Sequence, residues 1–91
     1  MNNDTRATLK TLTAAIEAIK MQVAELQEQC NDAANNEREK FDNMPEGLQD
    51  SDRGQAIDQA ATELEGAHEE LEGAFTALDA AIDAINNAIG E

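Results

Sequence analysis

Three places in this 91-residue chain hold side chains able to do chemistry: one thiol at Cys30, one imidazole at His68, and the stretch FDNMPEGLQDSDRG, Phe41 to Gly54, around the only proline. The last comes nearest to a known kind of site. From Asp42 to Arg53 it has twelve residues with Gly47 sixth, the spacing of a helix-flanked calcium loop, in which oxygen ligands stand at fixed places and a bidentate Glu closes the set. Met44 takes the third place and Arg53 the last, so Asp42, Glu46 and Asp50 are too few donors to hold the ion. The stretch is therefore expected to be a capped turn. Cys30 falls on an apolar seam, where a thiol behaves as a small core residue. His68 lies on an apolar stripe with Glu65 and Glu72 within one helical turn on either side, and reads as a seam histidine. Neither residue has the paired spacing, CxxC or HxxxH, that seats zinc. No Ser/His/Asp set and no glycine-rich phosphate loop is present. The expectation is a non-enzymatic protein with no catalytic residue, no metal site and no cofactor.

Charge carries the functional content. The chain has 20 acidic and 6 basic side chains, a formal charge of -14 and a pI near 4.1. Such a balance excludes phosphate-neutralising contact with nucleic acid and attraction to anionic lipid, and points to basic protein surfaces as partners. From Gly54 onward there is no Lys or Arg, while Asp58, Glu65, Glu69, Glu72, Asp79 and Asp83 occupy two adjacent columns of one helical face. These six are the candidate partner-binding residues. Over 25 residues, about 37 Å of helix, they give one charge per ~6 to 8 Å. A DNA strand has one per ~3.4 Å, so two symmetric copies flanked by Glu63 and Glu70 would approach that density. A surface that only keeps a bundle soluble normally mixes both signs.

The elements that must carry these residues follow from apolar spacing. Leu9, Leu12, Ile16, Ile19, Val23, Leu26, Cys30 and Ala33 follow at alternating steps of three and four, a heptad seam. NNEREK then has no apolar residue, and the seam loosens before Phe41. In the second half Ile57, Leu64, Leu71, Leu78 and Ile85 recur every seven residues, as do Ala61, His68, Phe75, Ile82 and Ile89. Ala60, Ala67, Ala74, Ala81 and Ala88 form a third column, widened by Gly66 and Gly73, on which another backbone can come close. Asn43 with Glu46, and Asp52 with Gln55, fit capping boxes, and Pro45 suits a first helical turn. The spacing predicts a single all-α domain over 1–91: an antiparallel helical hairpin of the coiled-coil kind, with helix 1 about 4–40, a loop about 41–53 and helix 2 about 54–89. The second helix has a broader apolar stripe than the first can cover. Two hairpins are therefore expected to dimerise into a four-helix bundle, with Ala60, Ala67, Gly73, Ala74, Ala81 and Ala88 on the packing face.

The segment NEREKFDNMPEGLQDSDRGQAIDQAATELEGA, with the LxxAIDAI-like heptads after it, resembles short uncharacterised helical proteins encoded by phages and prophages. Its most specific part is FDNMPEGLQ with the following SDRG, and the resemblance covers Asn36 to the C-terminus. It implies a viral or mobile-element origin, with no activity and no functional residue attached. Small acidic phage proteins include DNA mimics that block nucleases of host defence, and this chain is similar to those in charge. Hairpins of the secreted WXG type share the size but carry Trp-x-Gly in the turn, and this chain has no Trp. One Cys excludes an internal disulfide, and the opening MNNDTRATLK has no apolar signal core. The expected location is a host cell cytoplasm, with no membrane contact. The expected function is to bind and block a basic, nucleic-acid-binding surface of a host protein. The alternative is a structural or assembly protein whose acidic face only solvates it.

Overall fold

The computed structural model describes Met1–Gly90, and those residues are all-helical, with no strand among them. Helix α1 runs Asn3–Asp42, a single turn α2 runs Glu46–Gln49, and α3 runs Asp52–Ile89. The two long helices lie side by side in a rod of 68 × 15 × 14 Å. Lys20 meets Asp79 and Arg38 meets Asp58, so positions rising in α1 meet positions falling in α3 and the pair is antiparallel.

The helix ends use caps that differ from the boxes read in the sequence. Asn2 opens α1, its Oδ1 accepting the Thr5 N–H at 2.8 Å. Asn43 is the C-cap of α1, its own N–H donating to the Glu39 carbonyl, and Pro45 stands one place ahead of α2 with no side-chain cap. The cap of α3 is Ser51, whose Oγ accepts the Gly54 N–H at 3.2 Å. Asp52 is instead the first helical residue, and Gln55 reaches back to the Asp50 carbonyl. Asp52 had the right spacing from Gln55, but Ser51 holds the extended backbone (φ -70, ψ 165) that a cap needs. The calcium-like stretch is thus divided among a helix end, a corner, one helical turn and a helix start.

Two residues without a sequence signal tie the turn together. Gln49 donates from its amide to the carbonyls of Phe41, in the last turn of α1, and Met44, in the corner after it, at 3.1 and 3.2 Å, and so ties the two together. Gly54 is buried in the first turn of α3, and a Cβ there would lie 2.3 Å from the Gln49 carbonyl oxygen and 2.6 Å from that of Leu48. Only a residue without a side chain lets α2 and α3 approach so closely.

Along the rod, the side of α1 turned to α3 is not the whole heptad seam. Leu9, Ile16, Val23 and Cys30 are half-buried as expected, but their companions toward α3 are Thr13, Lys20, Gln27 and Ala34. Leu12, Ile19 and Leu26 remain about half exposed, at 47%, 49% and 51%. On α3 the column of Ala61 and Ile82 goes deepest, and among the described residues the only buried apolar side chains are Ala34, Ala61 and Ile82.

Gly54→Ala should lower stability by about 1–3 kcal/mol, because the added methyl meets backbone that cannot yield. Gly66→Ala and Gly73→Ala, which have open space around them, should each raise it by about 1 kcal/mol through helix propensity. Urea melts of the three variants test the contrast. Ser51→Ala should cost about 1 kcal/mol in the same assay, and more than Asp52→Ala does, which compares the observed cap with the one expected from the sequence.

Candidate partner-binding surface

The acidic residues of α3 are positioned by the seam beside them. At 100° per residue, Asp58, Glu65, Glu72 and Asp79 fall about 80° to one side of the line that α3 turns to α1, and Glu69 and Asp83 a further 40° round. The first helix supplies the cations that α3 lacks beyond Arg53. Arg38 donates from Nη2 to Glu65 Oε1 at 2.9 Å and to Thr62 Oγ1 at 3.3 Å, and from Nη1 to Asp58. Lys20 Nζ lies 3.0 Å from both Asp79 Oδ1 and Glu17 Oε1. Each cation also lies over an aromatic ring: Lys20 is 5.3 Å from the centroid of Phe75 and Arg38 is 5.9 Å from that of Phe41. The hydrogen bonds to Glu65 and then Asp58 hold the Arg38 guanidinium still more firmly in its charged form. Asp79 first and Glu17 second raise the Lys20 ammonium above its ordinary range. With a raised folded-state pKa, the Lys20 contribution is complete at neutral pH and is lost only as the solution becomes strongly alkaline.

The six candidate carboxylates therefore divide into two groups. Asp58, Glu65 and Asp79 are held in cross-helix ion pairs, while Glu69, Glu72 and Asp83 are exposed and have no ion pair among the described residues. Between the two bridging cations the rod has no other Lys or Arg on either helix. That waist, residues 21–37 of α1 against about 61–77 of α3, spans roughly 25 Å. It carries Glu25, Glu28 and Asp32 on one helix and Glu63, Glu69, Glu70 and Glu72 on the other, all exposed and outside the observed ion pairs. The spacing comes to one free charge per ~3.6 Å of rod, against ~3.4 Å for a DNA strand. The sequence reading placed the charge in a ridge on α3; the structure arranges the uncompensated part as a belt to which both helices contribute. The signal for the bridging cations was present in the sequence. Lys20 and Arg38 are 18 residues apart, five whole turns at 3.6 residues each, so they project in the same direction.

Of the packing-face residues, Ala60, Ala67, Ala81 and Ala88 are half-buried and Ala74 is exposed. Gly73 is exposed and lies about 100° further round the helix, at the back of the rod, apart from the alanines it was grouped with. His68 Nδ1 is 3.1 Å from the Gln27 carbonyl oxygen. A carbonyl only accepts, so in this contact Nδ1 carries the proton and donates. Cys30 is a free, half-buried thiol. Among the described residues no group of three or more His, Cys, Asp or Glu side chains converges as a metal site. No helix there is long and apolar enough to cross a membrane. Near the turn, an open groove of about 720 Å³ is lined by Met44, Pro45, Leu48 and Ile57 with Lys40 and Arg53 at its rim. A second, of about 470 Å³, runs past Ala33, Asn36 and Leu64. Comparison of the chain with protein-family models, with curated proteins and with solved structures finds no match.

Arg38→Gln should lower the melting temperature at low salt, with the loss shrinking as salt rises, because the bridges it forms are partly exposed and screened. Combined with Glu65→Gln, the two losses should be less than additive; strict additivity would show that the pair is not coupled.

Proposed function

We propose that this chain is a non-enzymatic binding protein whose acidic waist occupies a basic, nucleic-acid-binding surface of another protein and blocks it. Two hairpins paired as a four-helix bundle form the active species, working in the cytoplasm of a host cell, in keeping with the phage and prophage proteins that its turn resembles. The observation that carries this reading is the uncompensated belt of Glu25, Glu28, Asp32, Glu63, Glu69, Glu70 and Glu72, whose axial spacing is close to that of DNA phosphates. Fields of one sign speed encounter with a complementary surface and weaken with salt. A helical rod also holds its carboxylates on a backbone that is already ordered, so little backbone ordering remains to be met on binding.

The charge reversals that test this must avoid the bridging carboxylates, since changing Glu65 or Asp79 removes partners of Arg38 and Lys20. Glu28→Lys, Glu69→Lys and Glu72→Lys together leave both bridges intact. Bacterial lysate passed over immobilised protein should yield a basic nucleic-acid-binding protein that the triple variant does not retain. Its affinity should fall between 50 and 300 mM salt, and duplex DNA should compete for it. A partner held equally well by the variant, or one that binds DNA and this protein together, would overturn the reading. A second reading, a structural or assembly protein, is favoured by one observation: Leu12, Ile19 and Leu26 stay half exposed in the single hairpin. It predicts that the retained partner survives high salt and is kept by the triple charge-reversal variant.

A further inference from the structure

The ion-paired side is only one of the two long sides of this rod. The bridges of Arg38 and Lys20 mark one side of the seam. On α1 the column Leu12, Ile19, Leu26 lies about 80° to the other side, and on α3 the alanine column lies about 80° to the other side too. Because the helices are antiparallel, these two columns share one face of the rod, opposite the ion pairs. The groove that joins Ala33 and Leu64 lies toward its turn end. The bridging pairs set the heights: Leu12 falls within one residue of Ala88, Ile19 of Ala81 and Leu26 of Ala74. The face is therefore a ridge of large side chains beside a channel of methyl groups, with each large residue nearly level with an alanine.

Area identifies what is missing from it. A compact monomer of 9.8 kDa exposes about 5,200 Å², whereas this chain exposes 6294 Å², about 1,100 Å² more. One long side of a 68 × 15 Å rod is about 1,000 Å², so two copies joined there would bury ~2,000 Å² in all, the range of obligate homodimers.

We infer that this face binds a second copy of the chain by a two-fold axis parallel to the rod, so that the Leu12, Ile19, Leu26 ridge of each protomer lies in the alanine channel of the other and both turns lie at the same end. The inference refines the four-helix bundle proposed above and rests on that reading. The alternative two-fold, perpendicular to the rod, stacks α1 on α1 and α3 on α3. It would set ridge against ridge and leave channel facing channel, so neither would be filled. Charge makes the same choice. On α3 the column outside the alanines holds Glu63 and Glu70; on α1 the column outside the ridge is Gln22, Gln29 and Asn36, all neutral. With turns together, Glu70 lies level with Gln29 of the second copy and Glu63 with Asn36, so amide donors meet carboxylates at the rim. With turns apart, Glu70 would face its own copy, a like-charge contact. In the inferred arrangement the ion-paired sides of both hairpins, with Glu69 and Glu72, face outward, and Glu63 and Glu70 stand at the rim of the interface.

Light scattering at micromolar concentration should give twice the 9.8 kDa chain mass. A single spin label on exposed Gly47→Cys, in a Cys30→Ala background, should report a label-to-label distance well under half of the 68 Å rod. A dimer whose labels stand about a rod length apart overturns the orientation and leaves the bundle reading in place. A folded monomer overturns both. Ala74→Glu, in the channel, should weaken the dimer about 100-fold or more, since it buries a charge. Ala80→Glu, on the exposed back of α3, should leave the dimer unchanged. Equal effects of the two would show that the channel is not the interface.

Discussion

Two helices can enclose only a strip. Each presents to the other a band about two columns wide, and whatever lies outside that band stays in water, however apolar it is. Among the described residues Ala34, Ala61 and Ile82 are the only buried apolar side chains, and two of the three are alanines. Hydrophobic burial at ~25 cal/mol per Å² therefore offers this hairpin less than it offers a globular domain of the same length. The distribution of everything else along the rod follows from that thinness: large apolar residues placed for a second partner, and polar bonds used where the seam is exposed at its edge.

The edge is where the few cations are used. Lys20 and Arg38 each join two carboxylates and cover one of the chain's two phenylalanines. Their stems close the side of the seam as much as their charges bridge it. Concentrating the compensation at two heights has an electrostatic result. The 25 Å between them is left with carboxylates alone, so the charge of the molecule is strongest at its middle.

Periodicity made the helices, the break between them and the three columns of α3 readable in advance, because an apolar residue every seventh place over five heptads has only one regular geometry. Which of several adjacent columns turns inward was less readable. Leu12, Ile19 and Leu26 are more apolar than Thr13, Lys20 and Gln27, yet the latter lie nearer α3; a pattern records which residues seek cover, and not which partner provides it. The caps failed in another way. Asn43 and Asp52 have the right side chains at the right spacing, but capping depends on backbone angles, and the extended residue is Ser51. Gly54 carried no signal, since the carbonyls it accommodates belong to Leu48 and Gln49 in a turn whose path was not readable. The acidic columns were located correctly on α3. Their partial neutralisation depended on the pairing of helices about 20 to 60 residues apart in the chain.

One of the two seam columns of α3 carries no memory of position. Leu64, Leu71 and Leu78 are identical, and sliding the helix by seven residues would replace each with its equal. Register is stored in the varied column of Ala61, His68, Phe75 and Ile82, in the turn, where the Gln49 amide and the Gly54 contact fix the first few residues, and in the two bridges five turns apart. Length can accordingly change only in matched blocks: a heptad added to both helices at one height would lengthen the rod and keep every column in place. An insertion of two residues in α3 would rotate all that follows by about 200°, carrying carboxylates round to where alanines had been. Descendants of such a hairpin are confined to lengths that differ by sevens, and its size is inherited in steps.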